Sequence, residues 1–257
     1  MKSQLSLLKP QNCFAGSLFC IHGFLGQFRD WDSVIPPEWR KMGLDLFSPH
    51  LLPYALETRA LTLESLGAEV NRRAGRETAP KILVGYSLGG RIALHALFER
   101  PEIWAGAVII SAHPGLSNPV ERKNRVLSDE NWARRFEVEN WDELMASWNS
   151  QAVLSQSSIP SRMEAEFSRE ALAQCLRGCS LGKQRDFRSD LQSAQLPILW
   201  MVGSQDQKFL QLAREVAAFN PQIELEVVSN ASHRAPWDQP DEFARCLSRF
   251  LQKRLVK

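Results

Sequence analysis

The 257-residue chain has no apolar run approaching the roughly 18 residues that a membrane-spanning helix needs. Its opening residues, Met1 to Pro10, hold no long apolar core of a secretory signal. Neither sign of charge is in excess: 31 Lys and Arg against 29 Asp and Glu leave a net +2. That balance gives no global attraction for nucleic acid or a membrane surface, so any anion must be met by locally placed arginines. Cysteines are few and odd in number: Cys13, Cys20, Cys175, Cys179 and Cys246. A disulfide framework is not expected in a chain of this size with that count. Cys175 and Cys179 lie four apart on a predicted helix with no further metal ligands nearby, so they read as buried helix residues. Internal repeats and low-complexity tracts are also missing. The expectation is a soluble protein of the reducing cytoplasm, long enough for one sizeable α/β core.

What is present alternates between two periods. Short apolar runs at 18–21, 44–47, 82–84 and 107–110 read as strands, with helical periodicity at 62–73 and 91–97 between them. Such alternation implies a mostly parallel central sheet with helices on both faces. After the strand ending near Ala112 the pattern breaks. Residues 116–190 carry helix-period segments, best at 122–136, 142–148 and 169–177, and no convincing strand. Alternation then resumes with strands at 197–202 and 223–228 and helices at 209–219 and 243–255. The expected layout is a core of residues 1–115 and 191–257 with a helical cap, 116–190, inserted over the edge where open α/β sheets place their ligands.

One stretch carries chemistry on its face. Gly85-Tyr86-Ser87-Leu88-Gly89 joins the 82–84 strand to the 91–97 helix. Strand, Gly-x-Ser-x-Gly and helix describe a nucleophile elbow, a tight turn that lifts a serine hydroxyl above a parallel sheet. Glycines are needed there because side chains would collide with the adjoining strand and helix. A serine needs a base to become reactive, and the base needs a third group to orient it. In the α/β-hydrolase fold these follow in the order Ser, Asp or Glu, His. Ser87, Asp206 and His233 keep that order, and each lies just past a predicted strand. The oxyanion hole is expected at the backbone N–H groups of Leu88 and of Phe24, in the loop after the first strand. The other histidines read differently. His22 supports that loop, His95 packs inside the elbow helix, His50 has no evident partner, and His113 stands as a pocket wall.

These residues resemble the 2-succinyl-6-hydroxy-2,4-cyclohexadiene-1-carboxylate synthases of menaquinone biosynthesis over nearly the whole chain. Four stretches carry the resemblance: Gly85 to Arg91; His113-Pro114-Gly115-Leu116 with the 122–125 region; Ser128-Asp129-x-x-Trp132-x-x-Arg135-Phe136; and Asp206-x-Lys208-Phe209. The last stretch and His-Pro-Gly-Leu are more specific than the elbow, which fits many hydrolases. The resemblance implies a lyase that eliminates pyruvate from a cyclohexene tricarboxylate after proton abstraction. It implies no metal and no cofactor and a small polycarboxylate as partner, and the protein is expected to be a monomer or weak homo-oligomer. It also implies substrate contacts from Tyr86, Arg91, Arg125, Trp148 and a further cap arginine. Arg162 and Arg169 are both candidates for the last, with Arg169 preferred. Arginine suits the task because its planar fork meets a carboxylate with two hydrogen bonds.

Two stretches depart from the family pattern. Ser48 to Tyr54 lacks the glycines of the Asp-x-Pro-Gly-His-Gly-x-Ser loop that many relatives carry, and Arg234 to Pro240 is altered after the histidine. The competing readings are a serine hydrolase, either carboxylesterase or carbon–carbon bond hydrolase, and a non-catalytic binding protein on the same scaffold. The arginines separate the first from the lyase, and an intact Ser87, Asp206 and His233 speak against the second.

Overall fold

Strands β1 (Gly16–Ile21) and β2 (Leu44–Phe47) open the chain, separated by the short helix α1 (Glu38–Lys41). Helix α2 (Leu63–Ala74) leads to β3 (Lys81–Tyr86), α3 (Leu88–Glu99) and β4 (Gly106–Ile110). Helices α4 (Pro119–Val138), α5 (Trp141–Asn149), α6 (Arg169–Gly178) and α7 (Arg188–Ser193) then follow, with no strand between them among the described residues. The chain closes with β5 (Ile198–Gly203), α8 (Gln207–Ala217), β6 (Ile223–Val228), α9 (Ala235–Asp238) and α10 (Pro240–Leu255). The structure is a computed structural model and describes residues 14–49, 61–157 and 160–255. Cys13, His50 and positions 51–54 of the divergent loop lie outside the described residues.

Among the described residues, six strands form one parallel sheet in the order β2-β1-β3-β4-β5-β6. Alternate side chains supply its two faces, as the period of a strand requires. Phe19, Ile21, Leu83, Ile109 and Trp200 pack against α2, α3 and α8. Leu18, Cys20, Val84, Val108 and Met201 pack against α1 and α10. Burial on both faces is why these strands read as continuous apolar runs.

Helix starts are written locally. Thr62 and Ser65 form a reciprocal capping box at α2. Asn118 caps α4, with Pro119 in its first turn, so the helix begins three residues before the predicted 122. The helices between β4 and β5 have a core of their own: Ala133 and Phe136 of α4, Trp141 and Leu144 of α5, Leu172 and Leu176 of α6. Leu25, from the loop after β1, joins that cluster and ties it to the sheet edge. Helices α1, α7 and α9 span too few residues to show a period, and the sequence pattern missed them. Cys20, Cys175, Cys179 and Cys246 are free and buried. Among the described residues no helix is long and apolar enough to cross a membrane.

Candidate active site

The parallel register brings the C-terminal ends of β1, β3, β4, β5 and β6 to one edge. At the end of β3, Ser87 has φ 53° and ψ −112°, and its N–H donates to the Ile110 carbonyl at 2.8 Å. The turn closes only because its neighbours lack side chains. A Cβ on Gly85 would stand 2.4 Å from the Gly89 carbonyl oxygen, and one on Gly89 would stand 2.1 Å from that of Ile21.

Two loops bring partners to the Ser87 hydroxyl. Asp206, past β5, caps α8 by accepting from the Phe209 N–H. Its Oδ2 accepts from His233 Nδ1 at 2.7 Å. That bond leaves His233 Nε2 as an acceptor, 3.1 Å from Ser87 Oγ. Asp206 and His233 are both buried, so water does not compete for the pair.

The space in front of Ser87 is divided in two. Ser87, His233, Phe24, Trp148 and Leu154 border both parts. A cavity of about 340 Å³ extends past Tyr86 towards Asp30, Asn149, Arg162 and Arg234. A second, of about 260 Å³, extends past Leu88 towards Arg91, Ser111, His113, Arg125 and Lys208. Leu88 is the first residue of α3, so its N–H has no acceptor within the helix. Phe24 lies in a turn closed by Gly26 N–H donating to the Gly23 carbonyl at 3.0 Å, with Leu25 at φ 58°. Its ring packs on Phe136 and Trp148 of the helical segment.

Arg91, one turn along α3 from Ser87, donates to the Cys179 carbonyl at 2.8 Å and the Gln184 side-chain oxygen at 3.4 Å. Both partners are neutral. Burial, and then the nearby charge of Arg125, bring its pKa down to about 10. Arg125 donates through Nε to both oxygens of Asp129, each at 2.9 Å, which leaves the outer nitrogens of its fork for another anion. Tyr86 faces the other cavity, hydrogen-bonded to Arg234, and burial raises its phenol pKa.

Of the two cap arginines, Arg162 lines a cavity and the preferred Arg169 lines neither. Arg169 donates to the carbonyls of Phe136 and Glu139 at 3.0 and 2.7 Å, and to Glu164. It is drawn to the negative end of α4 rather than to the site. Arg162 forks onto Asp30, at 3.1 and 2.6 Å. Sequence spacing carried no signal for this choice, because it turns on which distant partner each arginine reaches, a helix end for Arg169 and Asp30 for Arg162. Arg234, Lys208 and Ser111 also border the cavities and were not singled out as site residues from sequence.

Residues 18–246 match the model of the alpha/beta hydrolase family. The chain is 30% identical over 249 residues to the 2-succinyl-6-hydroxy-2,4-cyclohexadiene-1-carboxylate synthase of Enterobacter sp. strain 638, covering 93% of this chain and 92% of that one. It is 32% identical over 250 residues to the enzyme of the same name from Pectobacterium atrosepticum, covering 91% and 93%. The chain belongs to this synthase family within the alpha/beta hydrolases. The structure of MenH from S. aureus superposes with a TM-score of 0.81 at 20% identity, over 93% of this chain and 94% of that one, and shows the same fold. For a member of the synthase family, the departure after His233 falls beside the row Ser87, His233, Asp206 rather than within it. Of the altered segment, Arg234 and Trp237 line the larger cavity.

Proposed function

We propose that the protein eliminates pyruvate from 2-succinyl-5-enolpyruvyl-6-hydroxy-3-cyclohexene-1-carboxylate, giving 2-succinyl-6-hydroxy-2,4-cyclohexadiene-1-carboxylate. One observation carries the reading: the cavities on both sides of the Ser87–His233 pair hold cations, Arg91, Arg125 and Lys208 on one side, and Arg234 with the Asp30-paired Arg162 on the other. A substrate with three separated carboxylates calls for such an arrangement, whereas a simple ester does not.

The chemistry follows from the substrate's bonds. The hydrogen at ring C2 is acidified by the succinyl carbonyl beside it. His233 Nε2 takes the Ser87 proton, and Asp206 stabilises the imidazolium through Nδ1. The Ser87 alkoxide removes the C2 proton. The negative charge passes to the succinyl oxygen, for which the N–H groups of Phe24 and Leu88 serve as donors. Its return forms the C2–C3 double bond and shifts the ring double bond to C4–C5. The C5–oxygen bond breaks, and the departing enolate becomes pyruvate on taking up a proton. Ser87 need not attack a carbonyl at any point.

In this reading, residues 116–190 act as a cap that closes the site against water. Tyr86, Arg91, Arg125 and Trp148 contact substrate, with Arg162 in place of Arg169. The test is incubation with the enolpyruvyl substrate, following pyruvate release and the absorbance of the ring diene. Absence of both sinks the assignment. Ester hydrolysis that survives Arg91→Ala and Arg125→Ala but not Ser87→Ala would favour the hydrolase reading instead.

A further inference from the structure

The turn that follows β4 has chemistry that the proton-abstraction row does not use. His113 lines the smaller cavity and is buried. Its Nδ1 accepts the Gly115 N–H at 3.0 Å, so the neutral ring must carry its proton on Nε2. The turn is fixed from several sides. The Gln184 side chain donates to the His113 carbonyl at 2.9 Å, and Phe187 N–H donates to the Pro114 carbonyl at 2.8 Å. Gly115 has φ 132°, and a Cβ there would stand 2.5 Å from the Arg185 carbonyl oxygen. The ring stays neutral: burial first, then the charges of Lys208, Arg188, Arg91 and Arg125, bring its pKa down to about 4.

Two residues before it, Ser111 borders the same cavity at φ 47°. Its hydroxyl is fully buried and has no partner among the described residues. A strained non-glycine residue with an unmatched hydroxyl is the kind of feature that collects where a ligand binds. Around the two stand Arg91, Arg125 and Lys208, which supply charge but no neutral donor.

We infer that His113, through Nε2–H and assisted by the Ser111 hydroxyl, is a substrate-binding residue that donates to the carboxylate held by Arg91 and Arg125. This inference rests on the tricarboxylate reading of the site. Arg91 has Nη1 committed to the Cys179 carbonyl and Arg125 has Nε committed to Asp129, so neither brings its whole fork to the carboxylate. A rigid neutral donor sets which oxygen faces Ser87, and it remains a donor without gaining charge at neutral pH. Lys208, at the rim, adds attraction.

Two substitutions separate binding from loop structure. His113→Asn keeps a short acceptor for the Gly115 N–H, as in an Asx turn, and loses the distal donor. His113→Gln keeps a distal donor and loses the loop bond. The expected result is a KM raised about ten- to a hundredfold in His113→Asn, with kcat within about threefold, since a hydrogen bond to a charged group is lost. KM should be largely recovered in His113→Gln, while its thermal midpoint drops. Ser111→Ala should raise KM by a smaller factor of about three to ten.

The second measurement is nitrogen NMR of the wild-type imidazoles titrated with succinate. The His113 signal should report the Nε2–H form at pH 7 and move as succinate saturates. An unchanged KM in His113→Asn, an equal defect in His113→Gln, or a His113 signal unmoved by succinate overturns the inference. If the wild type fails to turn over the enolpyruvyl substrate, the proposed reaction falls, and the succinate titration still decides the subsite.

Discussion

At the scale of single residues, the site depends on positions where only one side chain size is tolerated. Ser87 is held at positive φ, a conformation that costs a non-glycine residue about 1–3 kcal/mol. It persists because Gly85, Gly89 and Gly90 let β3, α3 and the end of β1 close around it. Gly89→Ala would push a methyl group into the carbonyls of Ile21 and His22, which are backbone atoms of a buried strand end. The expected cost is about 3 kcal/mol, measured as a lowered urea midpoint. Arg91 gives a second residue-level expectation. Its guanidinium reaches the Cys179 carbonyl through Nη1 and leaves its remaining donors for an anion. In Arg91→Lys a single ammonium cannot serve both, so KM should rise at least about tenfold, with the urea midpoint little changed.

At the scale of elements, the helices between β4 and β5 are joined to one another as much as to the sheet. Arg169, at the start of α6, satisfies the last carbonyls of α4 and stacks over Trp141 at 5.5 Å. This explains why the arginine preferred as a substrate ligand on the family resemblance lines neither cavity. Arg169→Ala should cost about 1–3 kcal/mol of stability and leave KM for the enolpyruvyl substrate within about twofold. A KM raised tenfold would return Arg169 to the site. Phe24 packs on the same assembly. Its ring is held by Phe136 and Trp148 while its backbone belongs to the loop after β1. Packing of α4 and α5 on that ring thereby joins the helical segment to the loop of one of the two expected oxyanion donors.

At the scale of the whole molecule, stability is tied to pH through buried imidazoles. His95 has a pKa lowered to about 4 by burial first, opposed by Glu64 and reinforced by Arg185 and Arg91. His113 is lowered to about 4 in the same way. In the unfolded chain both return to the ordinary range, near 6.5. Between those values the unfolded state binds protons that the native state refuses, so stability falls as the pH drops from about 6.5 towards 4. Above about 6.5 neither state is protonated and the contribution is complete. Urea midpoints measured from pH 7.5 to pH 4.5 should decline. His95→Phe, which keeps an aromatic ring against Phe187, should flatten the decline. An identical slope in the variant would remove His95 from the account.

Much of this protein was legible in the sequence because its signals are local. Strand runs buried on both faces, the elbow glycines, and Asp206 and His233 placed just past strands each follow from a few neighbouring residues. The helix starts at Thr62 and beside Ser168 are of the same kind, whereas α4 starts at Asn118, earlier than its apolar period showed. What sequence did not decide concerns direction across elements. Arg162 faces a cavity and Arg169 faces a helix end, yet they lie seven residues apart in the same charged stretch. The tautomer of His113 depends on a turn closed by Gly115, and the unmatched Ser111 hydroxyl depends on how β4 ends against β5. Local periodicity carries no information on where a long side chain points once distant helices pack. Only the tertiary arrangement brings Ser87, His233 and five cations from separate elements around one divided cavity.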